Sequence, residues 1–323
     1  MAKSEGRSSF SFISFVNKCR VFLILAAMCL IASFLSDAFL SVANLFNVAR
    51  QVSITAIVAA GMTLVILIAG IDLSVGSILA FTGAVAAGML SAKTALPLAV
   101  FLALGVGVLF GLANGLIVTK FGVPPFIVTL ALMTIGRGMT LVYTKGYPLV
   151  ITTSSFRTFG SGKIAGVPLP IIIMLVLYGL MYWVLHNTSF GRYIYAIGGN
   201  EEASRLSGIR VDQVKIAVYG ISGFLSALSA MIYTSRLMSA QPTAGMGLEL
   251  DAIAAVIIGG TSLSGGRGGI IGTLVGALIM GVLDNVLNLM NVSPFYQSIA
   301  KGLVILIAVI VDGKFSQLRN DQK

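Results

Sequence analysis

Residues 248–276 read LELDAIAAVIIGGTSLSGGRGGIIGTLVG. Two apolar runs flank a knot of glycine, serine and one arginine, with seven glycines between Gly259 and Gly272. In a soluble protein the stretch makes a buried strand, a turn and a helix. In a membrane protein it makes two spans with an irregular, close-packed joint. The rest of the chain decides between them.

The chain has 323 residues, of which 57% are hydrophobic and 10% charged, and its mean hydropathy is +0.99. Soluble domains carry about 25% charged residues. A soluble fold of this length has too little interior to hide so much apolar surface. The class is therefore a polytopic membrane protein. Long apolar runs read as helices, because a helix satisfies its own backbone in lipid. The formal net charge of +10 sits in short loops and tails between apolar runs, a topology pattern rather than a nucleic-acid footprint. Cys19 and Cys29 are too few and too ill-placed for a disulfide framework.

A span needs about 20 apolar residues. Apolar runs lie near 21–36, 97–119, 126–143, 171–186, 214–235, 252–260, 270–290 and 296–311, and the long run 52–89 divides in two at GIDLSVGS, residues 70–77. The expectation is an all-α bundle of about ten transmembrane helices. A single membrane domain, 21–311, lies between tails at 1–20 and 312–323. The first run resembles a signal peptide, but SDAF after it is a poor cleavage site, so an uncleaved span is expected. With the termini inside, the cytoplasmic side collects roughly twice as many Lys and Arg as the outside, which supports that orientation. The loop 145–170, with three cations and no acid, is its one soft violation.

Residues 68–77, IAGIDLSVGS, echo residues 258–267, IGGTSLSGGR. Paired glycine-interrupted segments in two halves point to a translocation pathway. Asp72 and Ser74 in the first joint, and Ser262 and Ser264 in the second, are pathway or gate candidates. Ionisable residues at membrane depth are functional candidates as well. These are Arg137, which lies close enough to the end of its span to snorkel, and Asp284, which can pair with Lys301. Glu249 and Asp251 are expected at a solvated loop end. Gly107, Gly111 and Gly115, and Gly272 and Gly276, recur every four residues, a spacing for close helix packing.

The loop 187–213 is the longest polar stretch inside the bundle. Asn200 suits an N-cap, Glu201 and Glu202 fill a first turn, and Gly208 suits the C′ position. A helix of about two turns, roughly 10 Å long, is predicted there. Such a helix is expected either to dock on a soluble partner or to lie on the surface of the loop without one. No phosphate-cradling loop is present: Gly162-Lys163 and Gly313-Lys314 are followed by Ile164 and Phe315. His186 is the single histidine. No enzyme activity, metal or cofactor is expected from these residues.

Three motifs in order resemble the bacterial ABC sugar-import permeases of the ribose type. They are GMTLVILIAGIDLSVGS (61–77), GRYIYAIGGNEEASRLSGI (191–209), and QPTAG (241–245) with ELDAIAAVIIGGTSLSGGRG (249–268). The resemblance runs from about Leu45 to Asp312. It implies an inner-membrane subunit that forms a homodimer. Its partners would be a separate ATP-binding cassette subunit inside and a periplasmic sugar-binding protein outside, and its substrate ribose or a close monosaccharide. It also implies a coupling role for Asn200, Glu201, Glu202, Ala203, Arg205 and Gly208. The rival reading, carried by Asp72, Asp284 and the repeat, is an ion-coupled secondary transporter of a small polar solute.

Overall fold

A computed structural model describes the backbone of residues 12–320 and the side chains of residues 21–310. The tail expected at 1–20 and Cys19 lie outside the described side chains. The elements run α1 (Phe12–Leu35), α2 (Val42–Leu67), α3 (Val75–Ser91), α4 (Leu96–Phe121) and α5 (Pro125–Thr144). A connecting segment follows, with β1 (Leu149–Val150), a 3-10 turn at Ser154–Arg157, α6 (Thr158–Ser161), β2 (Lys163–Ile164) and β3 (Val167–Pro168). Then come α7 (Leu169–Asn187), α8 (Ser189–Gly199), α9 (Glu201–Leu206) and α10 (Val211–Leu237). The chain ends with β4 (Ser239–Ala240), α11 (Leu248–Ile258), α12 (Ile270–Leu289) and α13 (Pro294–Asn320).

The local sequence sets many of these ends. Proline opens α4, α5, α7 and α13, where its missing N–H costs nothing. Gly122 closes α4 at φ +64°, a backbone region where a side chain would be strained. Ser41 caps α2 by accepting from the Asn44 N–H at 3.3 Å. The last helix, α13, continues to Asn320, past the boundary expected for the C-terminal tail at 312.

Six described helices are long and apolar enough to cross a bilayer: α2, α4, α5, α7, α10 and α12. Three further apolar segments, Val21–Leu35, Val75–Ser91 and Pro294–Ile310, are shorter. The run read as an eighth span is α11, with 11 residues. At 1.5 Å per residue it is about 16 Å long, roughly half of a ~30 Å hydrocarbon core. It is a half-helix, reached through the loop 241–247.

Two helices form the centre. In α2 and α10, 83% and 67% of the apolar window is buried, against 22% in α4 and α5. The peripheral helices turn apolar side chains such as Phe101, Leu109 and Val142 outward, as lipid-facing surfaces do. Glycine brings α4 onto α10. A Cβ on Gly107 would stand 2.6 Å from the Gly223 carbonyl oxygen, and one on Gly115 would stand 2.6 Å from the Ile216 Cα. Gly272 and Gly276 of α12 do the same against Gly259 and Ala255 at the end of α11. The four-residue glycine spacing therefore marks two backbone-to-backbone seams.

The bundle has two distinct ends. β1 pairs antiparallel with β4, Leu149 opposite Ala240, which ties the 145–170 segment to the C-terminal end of α10. The opposite end carries α8, α9 and the start of α10. The loop 187–213 thus holds two helices rather than one. Ile194 and Ile197 of α8 are buried, so that helix is fixed by packing.

Candidate functional site

Two helix breaks define the site. The first, residues 68–74, leaves α2 through Ala69 at φ +58° and re-enters as α3. Asp72 is fully buried at its centre. Its Oδ1 accepts from the Ser74 N–H at 3.0 Å and the Ser74 hydroxyl at 2.6 Å, and its Oδ2 accepts from the Ser222 hydroxyl of α10 at 2.8 Å. Asn114 of α4 donates to Ser74 Oγ at 2.8 Å, and Thr129 of α5 donates to the Ile71 carbonyl at 3.1 Å. The break is thereby bolted to three helices. No Lys or Arg pairs with Asp72 among the described residues. Three donors take the place of a counter-ion, which is how a buried carboxylate is held without one.

The second break, residues 259–269, turns through Gly260, Gly265, Gly266 and Gly268, all at positive φ. Gly260 and Thr261 donate back to Ile257 and Val256, closing α11. Ser262 receives its partner within the turn, its N–H donating to the Arg267 carbonyl at 3.0 Å, and Ser264 is exposed. The serines shape the turn, and the glycines make the contacts.

The two breaks meet. The Gly266 N–H donates to the Leu67 carbonyl at 2.9 Å, and a Cβ on Gly265 would stand 2.9 Å from the Ala69 nitrogen. The C-terminal end of α8 closes the same junction: a Cβ on Gly198 would collide with the Leu67 carbonyl oxygen and the Gly266 nitrogen. Tyr195 of α8 donates its hydroxyl to the Gly268 carbonyl at 3.0 Å. Burial pushes the Tyr195 phenol up, so it remains a donor at neutral pH. Three chain segments therefore touch backbone to backbone, with no side chains to cushion movement.

Beyond this junction α9 projects. Asn200 Oδ1 accepts from the Ala203 N–H at 2.9 Å, and Gly208 follows the last turn at φ +84°. Glu201 pairs with Lys215 at the start of α10 and with Arg205, which also reaches Asp212 at 2.9 Å. These exposed pairs hold the orientation of α9 but stabilise it little in water. Glu202 and Ala203 are exposed, and Leu206 is 84% exposed.

The remaining candidates lie elsewhere. Arg137 of α5 does not snorkel freely. Its guanidinium donates to the Ala244 carbonyl at 2.6 Å, beside Gly76 and Gly245, whose backbones touch. Glu249 and Asp251, expected at a solvated loop end, are half-buried in the first turn of the half-helix. Lys301 Nζ bonds Asp251 Oδ2 and Asp284 Oδ2, both at 3.0 Å. The expected Asp284–Lys301 pair is present, and Asp251 joins it. So the structure unites Asp72 with Ser74, and brings the two joints together, but sets Arg137 and Asp284 apart from them. Sequence reasoning missed Tyr195, Gly198, Ser222, Asn114 and Leu206. The Gly198-Gly199 pair beside the cap was the available signal.

Residues 44–309 match the family described as "Branched-chain amino acid transport system / permease component". A ribose import permease protein of Haemophilus influenzae is 51% identical over 97% of this chain and 98% of its own length. One of Escherichia coli K12 is 53% identical over 88% and 90%. The D-allose transport system permease protein of the same strain is 38% identical over 98% of each. No solved structure matches the chain significantly. With its matched region covering most of its length and its relatives aligned almost end to end, the chain belongs to this family of transport permeases.

Proposed function

We propose that the chain is the membrane-spanning permease of an ATP-driven importer for ribose or a closely related monosaccharide. It works as a homodimer in the bacterial inner membrane. A separate ATP-binding cassette subunit docks on the α8–α9 end, and a periplasmic sugar-binding protein docks on the opposite end. The α9 end is cytoplasmic, ten helices traverse or enter the bilayer, and both termini lie inside. The observation that carries this reading is the junction of Gly198, Leu67 and Gly266. It links an exposed, capped helix directly to the ends of two interrupted helices. A push on α9 reaches both breaks through rigid backbone, which is what coupling to a soluble motor requires. The sugar is argued from the ribose and allose permeases among the relatives.

The test is uptake in proteoliposomes. Ribose should accumulate only with the ATPase, the binding protein and ATP all present. Uptake by this chain alone, driven by a proton or sodium gradient, would overturn the reading in favour of an ion-coupled transporter.

Leu206 sharpens the docking surface. A large apolar side chain held out on a capped helix gains little unless a partner covers it. Glu201 is a poor probe, since reversing it also breaks its bond to Lys215. Leu206→Glu should reduce co-purification of the ATPase by roughly tenfold, typical of a buried interface anchor. The melting temperature of the isolated chain should not move. Normal ATPase recovery with L206E would remove α9 from the docking surface.

A further inference from the structure

We propose that each copy of the chain contains its own monosaccharide-binding cavity, separate from the breaks, in which Asp251, Asp284 and Lys301 anchor the sugar. The proposal rests on the sugar-import reading and adds a place and a set of anchoring groups to it. The cavity measures about 440 Å³ and lies among α2, α10, α11, α12 and α13. Such a volume falls in the range of small-molecule sites, roughly 300–1,000 Å³. Tyr233 and Arg236 line it from the last turns of α10, so it sits toward the end remote from α9. Under the proposed orientation that is the end from which substrate arrives.

The chemistry of the lining points to an uncharged polyol. Asp251, Asp284 and Lys301 together carry one negative charge, and Arg236 brings the cavity to neutrality. A site for a cation or an anion would leave an excess of the opposite sign. Lys301 spends two of its three N–H donors on one oxygen of each carboxylate. Asp251 bonds Lys301 through Oδ2, and its Oδ1 makes no hydrogen bond to described groups. The hydroxyls of Thr55 on α2 and Tyr233 on α10 make no hydrogen bond to described groups. A sugar hydroxyl both donates and accepts, so adjacent hydroxyls satisfy the free Asp251 oxygen and the spare ammonium proton together.

A purely structural tie between α11, α12 and α13 leaves the Asp251 oxygen, the third Lys301 proton and the two hydroxyls around one cavity without a use. At membrane depth ionisable groups are kept for a function. Ligand hydroxyls take up these free donors and acceptors, which makes sugar binding favourable where an apolar solute gains nothing.

Equilibrium dialysis of radiolabelled ribose against the purified chain in nanodiscs tests this, alongside uptake by the full reconstituted system. Saturable binding near one ribose per chain is expected. Asp284→Asn should weaken it at least tenfold, and Thr55→Val about fivefold with an unchanged melting temperature. Because D284N removes a charge pair, it risks poor folding, and T55V then carries the test alone. Full uptake without saturable binding by the chain would overturn the cavity, as would wild-type affinity in both variants, or in T55V if D284N does not fold. Saturable binding that the variants weaken, with no uptake in the complete system, would keep the cavity and overturn the import reading instead.

Discussion

Gly198→Ala is expected to abolish most transport while Gly199→Ala leaves it near normal. The two glycines are adjacent, so composition, helix propensity and flexibility change alike. Their surroundings differ. A Cβ at Gly198 strikes the Leu67 carbonyl oxygen and the Gly266 nitrogen, whereas a Cβ at Gly199 meets open space. All the atoms struck are backbone, and none can rotate away. Overpacking of a rigid contact costs about 1–3 kcal/mol. If that cost falls on the state in which α8 presses on both breaks, uptake drops by roughly tenfold or more, since about 1.4 kcal/mol is a factor of ten. Reconstituted ribose uptake, normalised to inserted protein, measures it. Equal uptake by the two variants would show that the junction does not transmit movement.

Asp72→Ala should be the most destabilising single change in the core. It removes the acceptor for the Ser74 N–H, the Ser74 hydroxyl and the Ser222 hydroxyl at once, in a fully buried site. Each orphaned buried donor costs about 1–3 kcal/mol. The melting temperature in detergent should fall by roughly 5–10 °C or more. Asp72→Asn keeps one acceptor oxygen for Ser74, and the Ser222 hydroxyl can rotate to accept from the new amide, so it should lose much less. Ser222→Ala removes a single donor and should also lie below Asp72→Ala. If the alanine and asparagine variants melt together, the carboxylate is not the bolt described above.

Some of this was legible in the sequence because it is local. Asn200, Glu201, Glu202 and Gly208 place cap, first turn and C′ residue within one short stretch, and α9 forms where they say. The glycine rows on α4 and α12 were legible for the same reason, since periodicity along one helix marks one face. Neighbouring α8 was not. GRYIYAIGG carries three glycines and reads as loop, and its helix is held by burial of Ile194 and Ile197 against distant segments. Asp251 was misread as solvated because its partner, Lys301, stands 50 residues away along the chain. Ser262 and Ser264 attracted notice as polar groups beside an apolar run, yet the contacts there belong to glycine backbone.

The sequence by itself determined that this chain lives in a bilayer as a helical bundle, that two of its apolar runs are broken by glycine, and that a capped helix stands out from one loop. Those follow from transfer free energy, backbone hydrogen bonding and local capping, each decided within a few turns of chain. Only the tertiary structure decided that residues 248–276 hold a half-helix and a full one, because hydropathy reports composition and not depth. Only it decided that the two breaks touch each other and the end of α8, and that a lysine from α13 holds a carboxylate on each side of the second break. Such contacts join residues far apart in the chain, and no local preference encodes them.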